Sequence, residues 1–274
     1  MSFTSVARRA AAQSVKVAAA GIDTVRRPQK GVIVLLYHRV GGSTASAVDL
    51  PLELFEAQMA EIAGRVTDID TALDALSGSA SPIATDIVVT FDDGTADFAE
   101  QALPVLVRHR VPAVLYVATR FIEERTEFPG GATPLSWDAL RDAVGTGLVT
   151  VGSHTDSHLL LDRVDGTTAA AELDRSIDLI GERLNVPVAH FAYPKAQAPS
   201  AAADTEVRRR FRSAALAGTT ANRFGQTDPH RLARSPIQVA DGMRWFRRKA
   251  AGGMAAEDGL RRLANRGRYA GAVT

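Results

Sequence analysis

The 274-residue sequence has no cysteine. Disulfides and thiolate metal sites are therefore excluded, and any metal must be held by histidine, carboxylate or water. Long hydrophobic runs are missing too: none approaches the ~18 apolar residues of a membrane-spanning helix. Neither an internal repeat nor a low-complexity linker interrupts the chain. Histidine is scarce, with six copies, so the places where it falls are informative. What is present is 46% hydrophobic and 23% charged, the composition of an ordinary soluble globular protein with material for a sizeable core. The length allows one large domain or two small ones.

Net charge is +1, unevenly placed. Residues 1–30 carry +5 and residues 243–274 carry +6, so the stretch between them carries −10. Basic ends on an acidic body suit weak peripheral contact with an anionic membrane surface. Packing of the ends on the body, or simple solubility, accounts for the same charges. The opening "MSFTSVARRAAAQSVKVAAAGIDTVRRPQKG" lacks the long apolar core and cleavage site of a signal peptide and reads as an alanine-rich helix. The expected location is the cytoplasm, with the membrane periphery as the variant that the basic ends allow. No sequence feature calls for nucleic acid as a partner.

From residue 31, apolar runs of strand length alternate with helical patterns. "GVIVLLYH" (31–38), "DIVVTFDD" (86–93), "VPAVLYVAT" (111–119), "LVTVGSH" (148–154), "VAHFAYP" (188–194), "SAALAGT" (213–219) and "ARSPIQV" (233–239) read as seven strands. Between them lies "LELFEAQMAEIAG" (52–64), whose Leu54, Phe55, Met59 and Ile62 share a helical face. Further helical patterns are "ADFAEQALPVLVRH" (96–109), "SWDALRDAV" (136–144) with Ser136 as N-cap, "AELDRSIDLIGERL" (171–184) and "AADTEVRRRF" (202–211). Residues 41–50 and 121–135 are the expected irregular insertions. Continuous apolar strands alternating with helices predict an α/β fold, a parallel sheet with helices outside. The expected organisation is one domain over 31–242, a basic helical extension at 1–30 and a second basic extension at 243–274.

In such folds the chemistry sits beyond the C-terminal ends of the strands. The first strand ends in His38, the second in Asp92 and Asp93, and the fourth in His154, with His158 four residues on. The fifth ends in Tyr193-Pro194 and the seventh opens near Arg234. Three of the six histidines and the chain's one Asp-Asp pair thus converge on a single rim. If residues 155–158 begin a helical turn, His154 and His158 present both rings to one cation. Two histidines and a carboxylate leave a coordination position open for water or substrate, as a catalytic metal site does. One aspartate can then ligate while the other acts as general base, and the cation relieves their repulsion. Gly94 permits a tight turn beside them. Taken alone, "FDDG" also reads as a strand-ending turn, and the HxxxH spacing as capping or surface residues.

"TFDDG" (90–94), "HTDSH" (154–158) and "FAYP" (191–194), in that order, resemble the polysaccharide deacetylase family. This is the chitooligosaccharide deacetylase homology domain, also called carbohydrate esterase family four. The resemblance runs from about residue 31 to residue 240. It implies a distorted (β/α) barrel of about seven parallel strands and a divalent metal, often zinc. The implied reaction is hydrolysis of N-acetyl groups, or sometimes O-acetyl esters, on sugars. By the same resemblance Asp92 is the general base, Asp93, His154 and His158 hold the metal, and Thr90 and Gly94 shape the loop.

Three departures accompany the resemblance. The family's late histidine motif, source of its general acid, is absent, and residues 232–239 read "LARSPIQV". "VLLYHRV" (34–40) instead resembles the opening of a permuted branch that includes poly-N-acetylglucosamine deacetylases, in which the strand bearing the acid histidine comes first. His38 fits that role. Its other reading is a hydrogen bond to a buried backbone group, and His230 is the reserve candidate. In the third motif Phe191 stands for the usual Arg and Lys195-Ala196 for Tyr-Gly. The backbone N–H of Lys195 can still hold an oxyanion, because such a donor does not depend on the side chain. Arg234 either replaces the missing Arg beside Asp92 or is a surface residue, and Trp137 is either a sugar platform or core. The expected activity is metal-dependent removal of N-acetyl groups from an amino-sugar glycan or a biosynthetic intermediate. The alternatives are an O-acetyl esterase or amide hydrolase of the same superfamily, and a barrel that binds glycan without turnover.

Overall fold

A computed structural model describes residues 30–78 and 87–257, together with 16, 17, 19, 21 and 259. Seven apolar segments form its strands: β1 (Ile33–Tyr37), β2 (Ile87–Phe91), β3 (Ala113–Val117), β4 (Val149–Ser153), β5 (His190–Ala192), β6 (Ser213–Ala217) and β7 (Leu232–Pro236). Every residue of β1, β2 and β3 is buried, as expected for strands covered on both faces. All seven pair in parallel and in chain order, and β1 also pairs with β7, so the sheet closes into a barrel. The expected distorted (β/α) barrel is the observed fold. The first strand is the closing piece, with Val34 aligned with Val88 on one side and Arg234 on the other.

The helices cover the outside: α1 (Leu52–Ile62), α2 (Ile69–Ser77), α3 (Leu103–His109), α4 (Thr119–Glu124), α5 (Trp137–Gly145), α6 (Gly166–Leu184), α7 (Ala201–Arg210) and α8 (Gly242–Ala250). Their ends follow local chemistry. Ser136 caps α5 as expected, accepting from the Ala139 N–H at 3.1 Å. The pattern at 96–109 resolves into a π-helical turn at Phe98–Ala102 followed by α3, with Pro104 near the start of that helix. The sequence reading passed over α2, which is bounded by an Asp68 cap on the Thr71 N–H and by Gly78 in the left-handed region. The first four residues of the insertion expected at 121–135 are likewise the end of α4. Residues 41–50 do form a loop, closed by a two-residue parallel ribbon between Arg39–Val40 and Asp49–Leu50.

Strand alternation sorts the side chains into two layers. Val34, Val88, Val114, Tyr116, Ala192, Ala215 and Leu232 form one buried cluster in the barrel, which Ile69, Leu73 and Leu76 of α2 join. Tyr37, Phe55, Phe91 and Phe98 face the helices, with ring centroids 5.0–5.8 Å apart. Tyr37 therefore points outward, and His38, next along the chain, follows on the inner side of the rim. The extension expected at 1–30 lies almost wholly outside the described residues, and so does the part of 243–274 beyond 259. What is described of them meets at α8: Lys16 bonds to Asp241, and Ala19 packs with Trp245 and Met254. Among the described residues no helix is long and apolar enough to cross a membrane.

Candidate active site

At the C-terminal end of β2 the Asp92 N–H bonds to the Tyr37 carbonyl at 3.1 Å, and the backbone then reverses through Asp93 (φ 74°) and Gly94 (φ 93°). A Cβ on Gly94 would sit 3.0 Å from Val117 Cγ1, so both conformation and space call for glycine. The reversal is pinned from β3, where the Ala118 N–H donates to the Asp93 carbonyl at 3.0 Å. It leaves Asp93 Oδ1 3.6 Å from His154 Nε2 and 3.5 Å from His158 Nε2.

His154 follows β4 and is buried. Its Nδ1 lies 2.7 Å from the Ala192 carbonyl. A carbonyl only accepts, so Nδ1 carries the hydrogen and Nε2 is the nitrogen turned toward Asp93. The helical turn expected at 155–158 does not form. Thr155 (φ 64°) and His158 (φ 60°) instead adopt left-handed backbone, and a folded loop brings the rings together with centroids 5.0 Å apart. Burial, helped by His154, pushes the His158 imidazole down to about 4, so it is neutral at pH 7 and able to ligate.

Donor atoms of Asp93, His154 and His158 all lie within 4.8 Å of one another. Tetrahedral ligands at about 2.0–2.2 Å from an ion stand roughly 3.3–3.6 Å apart. The observed 3.5 and 3.6 Å separations match, and two imidazoles with one carboxylate form a donor set of zinc type. These residues fit a divalent cation.

Asp92 borders this cluster, with Oδ2 3.9 Å from His154 Nε2, but is not one of its three donors. It is 3% exposed, and Arg234, fully buried, grips both its oxygens at 2.6 and 2.9 Å. Burial alone would raise the carboxyl; the Arg234 guanidinium outweighs it, with smaller contributions from His154 and His38, and holds Asp92 at about 2. Arg234 is thus the interior partner of Asp92 and not a surface residue. Its Nη1 also meets Thr90 Oγ1 at 3.3 Å, and its guanidinium lies 5.2 Å from the Tyr116 ring centroid. Thr90 in turn donates to the Leu35 carbonyl at 2.9 Å.

The remaining expected residues divide. His38 lies near enough for its charge to act on Asp92, and its buried Nδ1 has no hydrogen-bond partner among the described residues. His230 precedes β7, at the far end of the barrel, with Nε2 2.8 Å from the Phe211 carbonyl; the site does not include it. Lys195 (φ 51°) and Ala196 (φ 52°) form a left-handed step after Pro194. The Ala196 N–H is taken by the Tyr193 carbonyl at 2.8 Å, and no described group accepts that of Lys195. Phe191 faces outward onto Tyr193 and Phe211, so the inward position on this strand is Ala192. The Tyr193 hydroxyl goes to Asp204. Trp137 packs against the outer core and donates to Glu123 at 2.8 Å, which makes it structural. Sequence reasoning missed Thr119, Arg120 and Glu172, which bind the 154–158 loop from outside; no motif marks them.

Residues 80–213 match the model of a family described as polysaccharide deacetylase. The match takes in Asp92, Asp93, His154, His158 and Lys195 but neither His38 nor Arg234. The chain is 24% identical over 164 residues to YxkH of Bacillus subtilis strain 168, which is provisionally named a polysaccharide deacetylase. That match covers 59% of this chain and 55% of the relative, so the chain spans about half the length of the curated relative it matches. Among solved structures, IcaB from Ammonifex degensii superposes with a TM-score of 0.70 at 24% identity, covering 80% of this chain and 98% of that one. A Streptococcus pyogenes deacetylase, PplD, solved with acetate, gives 0.67 at 19% identity, covering 78% and 97%. A de-N-acetylase from Aggregatibacter actinomycetemcomitans gives 0.63 at 18% identity, covering 80% and 99%. These likenesses establish a shared barrel.

Proposed function

Since the chain carries a polysaccharide deacetylase domain, we propose that it hydrolyses N-acetyl groups on an amino-sugar glycan or glycan intermediate, with a divalent cation, zinc by preference, at Asp93, His154 and His158. The observation that carries this reading is the pairing of two unlike aspartates. Asp93 stands against two imidazole nitrogens, while both oxygens of its neighbour Asp92 are gripped by Arg234, with Asp92 Oδ2 3.9 Å from His154 Nε2.

A cation in that site, when bound, would polarise the acetyl carbonyl and acidify a water. The chain's own residues do the rest. Asp92, ionised at every working pH and locked in one rotamer, takes a proton from the attacking water. The Lys195 N–H donates to the oxyanion of the tetrahedral intermediate. His38 gives a proton to the sugar nitrogen as the C–N bond breaks, so water and amide become amine and acetate. Arg234 reaches no substrate in this scheme and acts by fixing Asp92.

The test is acetate release from a short N-acetylglucosamine oligomer by zinc-loaded protein. Release that stops on chelation and returns with Zn2+ is the expected result; none from any N-acetylhexosamine substrate would refute the reading.

A further inference from the structure

The loop carrying His154 and His158 is held on its outer side by groups that the scheme above does not use. Residues 155–157 form no helix, so their polar groups need partners elsewhere. The Asp156 carboxylate accepts from Thr119 Oγ1 at 2.8 Å and from Arg120 Nε and Nη2 at 3.0 and 2.7 Å. Its carbonyl accepts from the Arg120 N–H at 2.9 Å. Ser157 gives its N–H and its hydroxyl to the two oxygens of Glu172, each at 2.8 Å. Arg120 Nη2 also lies 3.7 Å from Glu172 Oε1, so one guanidinium joins both carboxylates. α4 and α6 are thereby tied together through the short segment between the two histidines.

That segment begins and ends in conformations that side-chain-bearing residues avoid, Thr155 at φ 64° and His158 at φ 60°. Such backbone persists only where its surroundings over-determine it. Released, the loop would relax toward ordinary dihedrals and carry the His158 ring away from Asp93. None of Asp156, Arg120 and Glu172 belongs to the three-residue donor cluster.

We propose that Asp156, Arg120 and Glu172 are positioning residues that preassemble the His154–His158 pair for a divalent cation. The proposal rests on the reading of Asp93, His154 and His158 as the cation site. The three side chains line an open cleft between α4 and α6; Asp156 is buried at its base, whereas Arg120 is half exposed and can be replaced without opening a hole in the core.

The test uses the full chain, freed of metal, with Zn2+ titrated against a competing chelator and Co2+ as a spectroscopic probe. In Asp156→Asn, Glu172→Ala and Arg120→Gln the Zn2+ dissociation constant should rise about 10–100-fold, the range for removal of groups that orient ligands. The visible Co2+ band should change with it, while circular dichroism keeps its helical signal. Should the buried Asp156 variant fail to fold, Arg120→Gln carries the test, since that side chain is 47% exposed. Zn2+ affinity within about twofold of wild type and an unchanged Co2+ band, whatever the melting temperature, would leave the three residues merely structural and overturn the proposal. Wild type that binds no Zn2+, or Asp93→Asn that binds it equally well, would instead remove the cation site and the proposal with it.

Discussion

Arg234 holds Asp92 by both carboxylate oxygens, at 2.6 and 2.9 Å, across 142 residues of sequence and inside the barrel. Removing one partner of a buried ion pair strands the other and costs about 3–5 kcal/mol. Arg234→Gln should lose roughly that much in urea unfolding. Arg234→Lys should not restore it, because an ammonium cannot make the two-pronged contact. The double variant with Asp92→Asn should be less unstable than the sum of the single losses. An Arg234→Gln protein as stable as wild type would show that the pair is not coupled.

If His38 protonates the leaving nitrogen, its loss should matter most where the leaving group is a poor one. His38→Ala should lower kcat/KM on an N-acetylated sugar about 10²–10⁴-fold, but by less than about tenfold on an aryl acetate, whose phenolate departs unprotonated. Equal losses on both substrates would assign His38 to something other than acid catalysis.

The Lys195 contribution is a backbone one. Lys195→Ala should keep most of kcat, against the roughly 10²–10³-fold fall that follows loss of an oxyanion donor. Ala196→Gly should raise stability by about 1 kcal/mol, since φ 52° strains alanine but not glycine. A large loss of kcat in Lys195→Ala would move the role to the ammonium.

Acid should destabilise the metal-free protein through His158. Its folded-state value is about 4 against an ordinary 6.5, lowered first by burial. Between those values the unfolded chain binds a proton that the folded chain does not, so stability rises as pH climbs from 4 to 6.5. His190, also lowered by burial, adds in the same direction. The Asp92 contribution is complete above ~3.9 and is lost as pH falls toward 2, again with the same sign. Urea midpoints should therefore rise across pH 4–6.5, and His158→Gln should flatten part of that slope. A flat wild-type profile would contradict it.

The barrel was legible because each strand is a short Val/Ile/Leu run with a helical pattern after it, and the rim because strand ends carried His38, Asp92, Asp93 and His154. What the sequence hid was dihedral. Four residues between two histidines suit a helical turn, and only the backbone reveals that Thr155 and His158 are left-handed. Helix α2 escaped although Asp68 and Gly78 frame it, because its apolar face is short. Arg234 was ambiguous because an arginine in a strand run has no periodic signature. Its role depends on β7 closing against β1, a contact between opposite ends of the chain. Arg120 and Glu172 belong to helices that approach the loop only in three dimensions.

The division of labour between the neighbouring aspartates is the central claim, and one paired measurement tests it directly: acetate release and bound zinc, determined together for wild type, Asp92→Asn and Asp93→Asn. The account predicts that Asp92→Asn keeps its zinc and loses about 10²–10⁴-fold in rate, whereas Asp93→Asn loses the zinc and the activity together. Zinc lost from Asp92→Asn and retained in Asp93→Asn, or acetate released by Asp92→Asn at the wild-type rate, would contradict it.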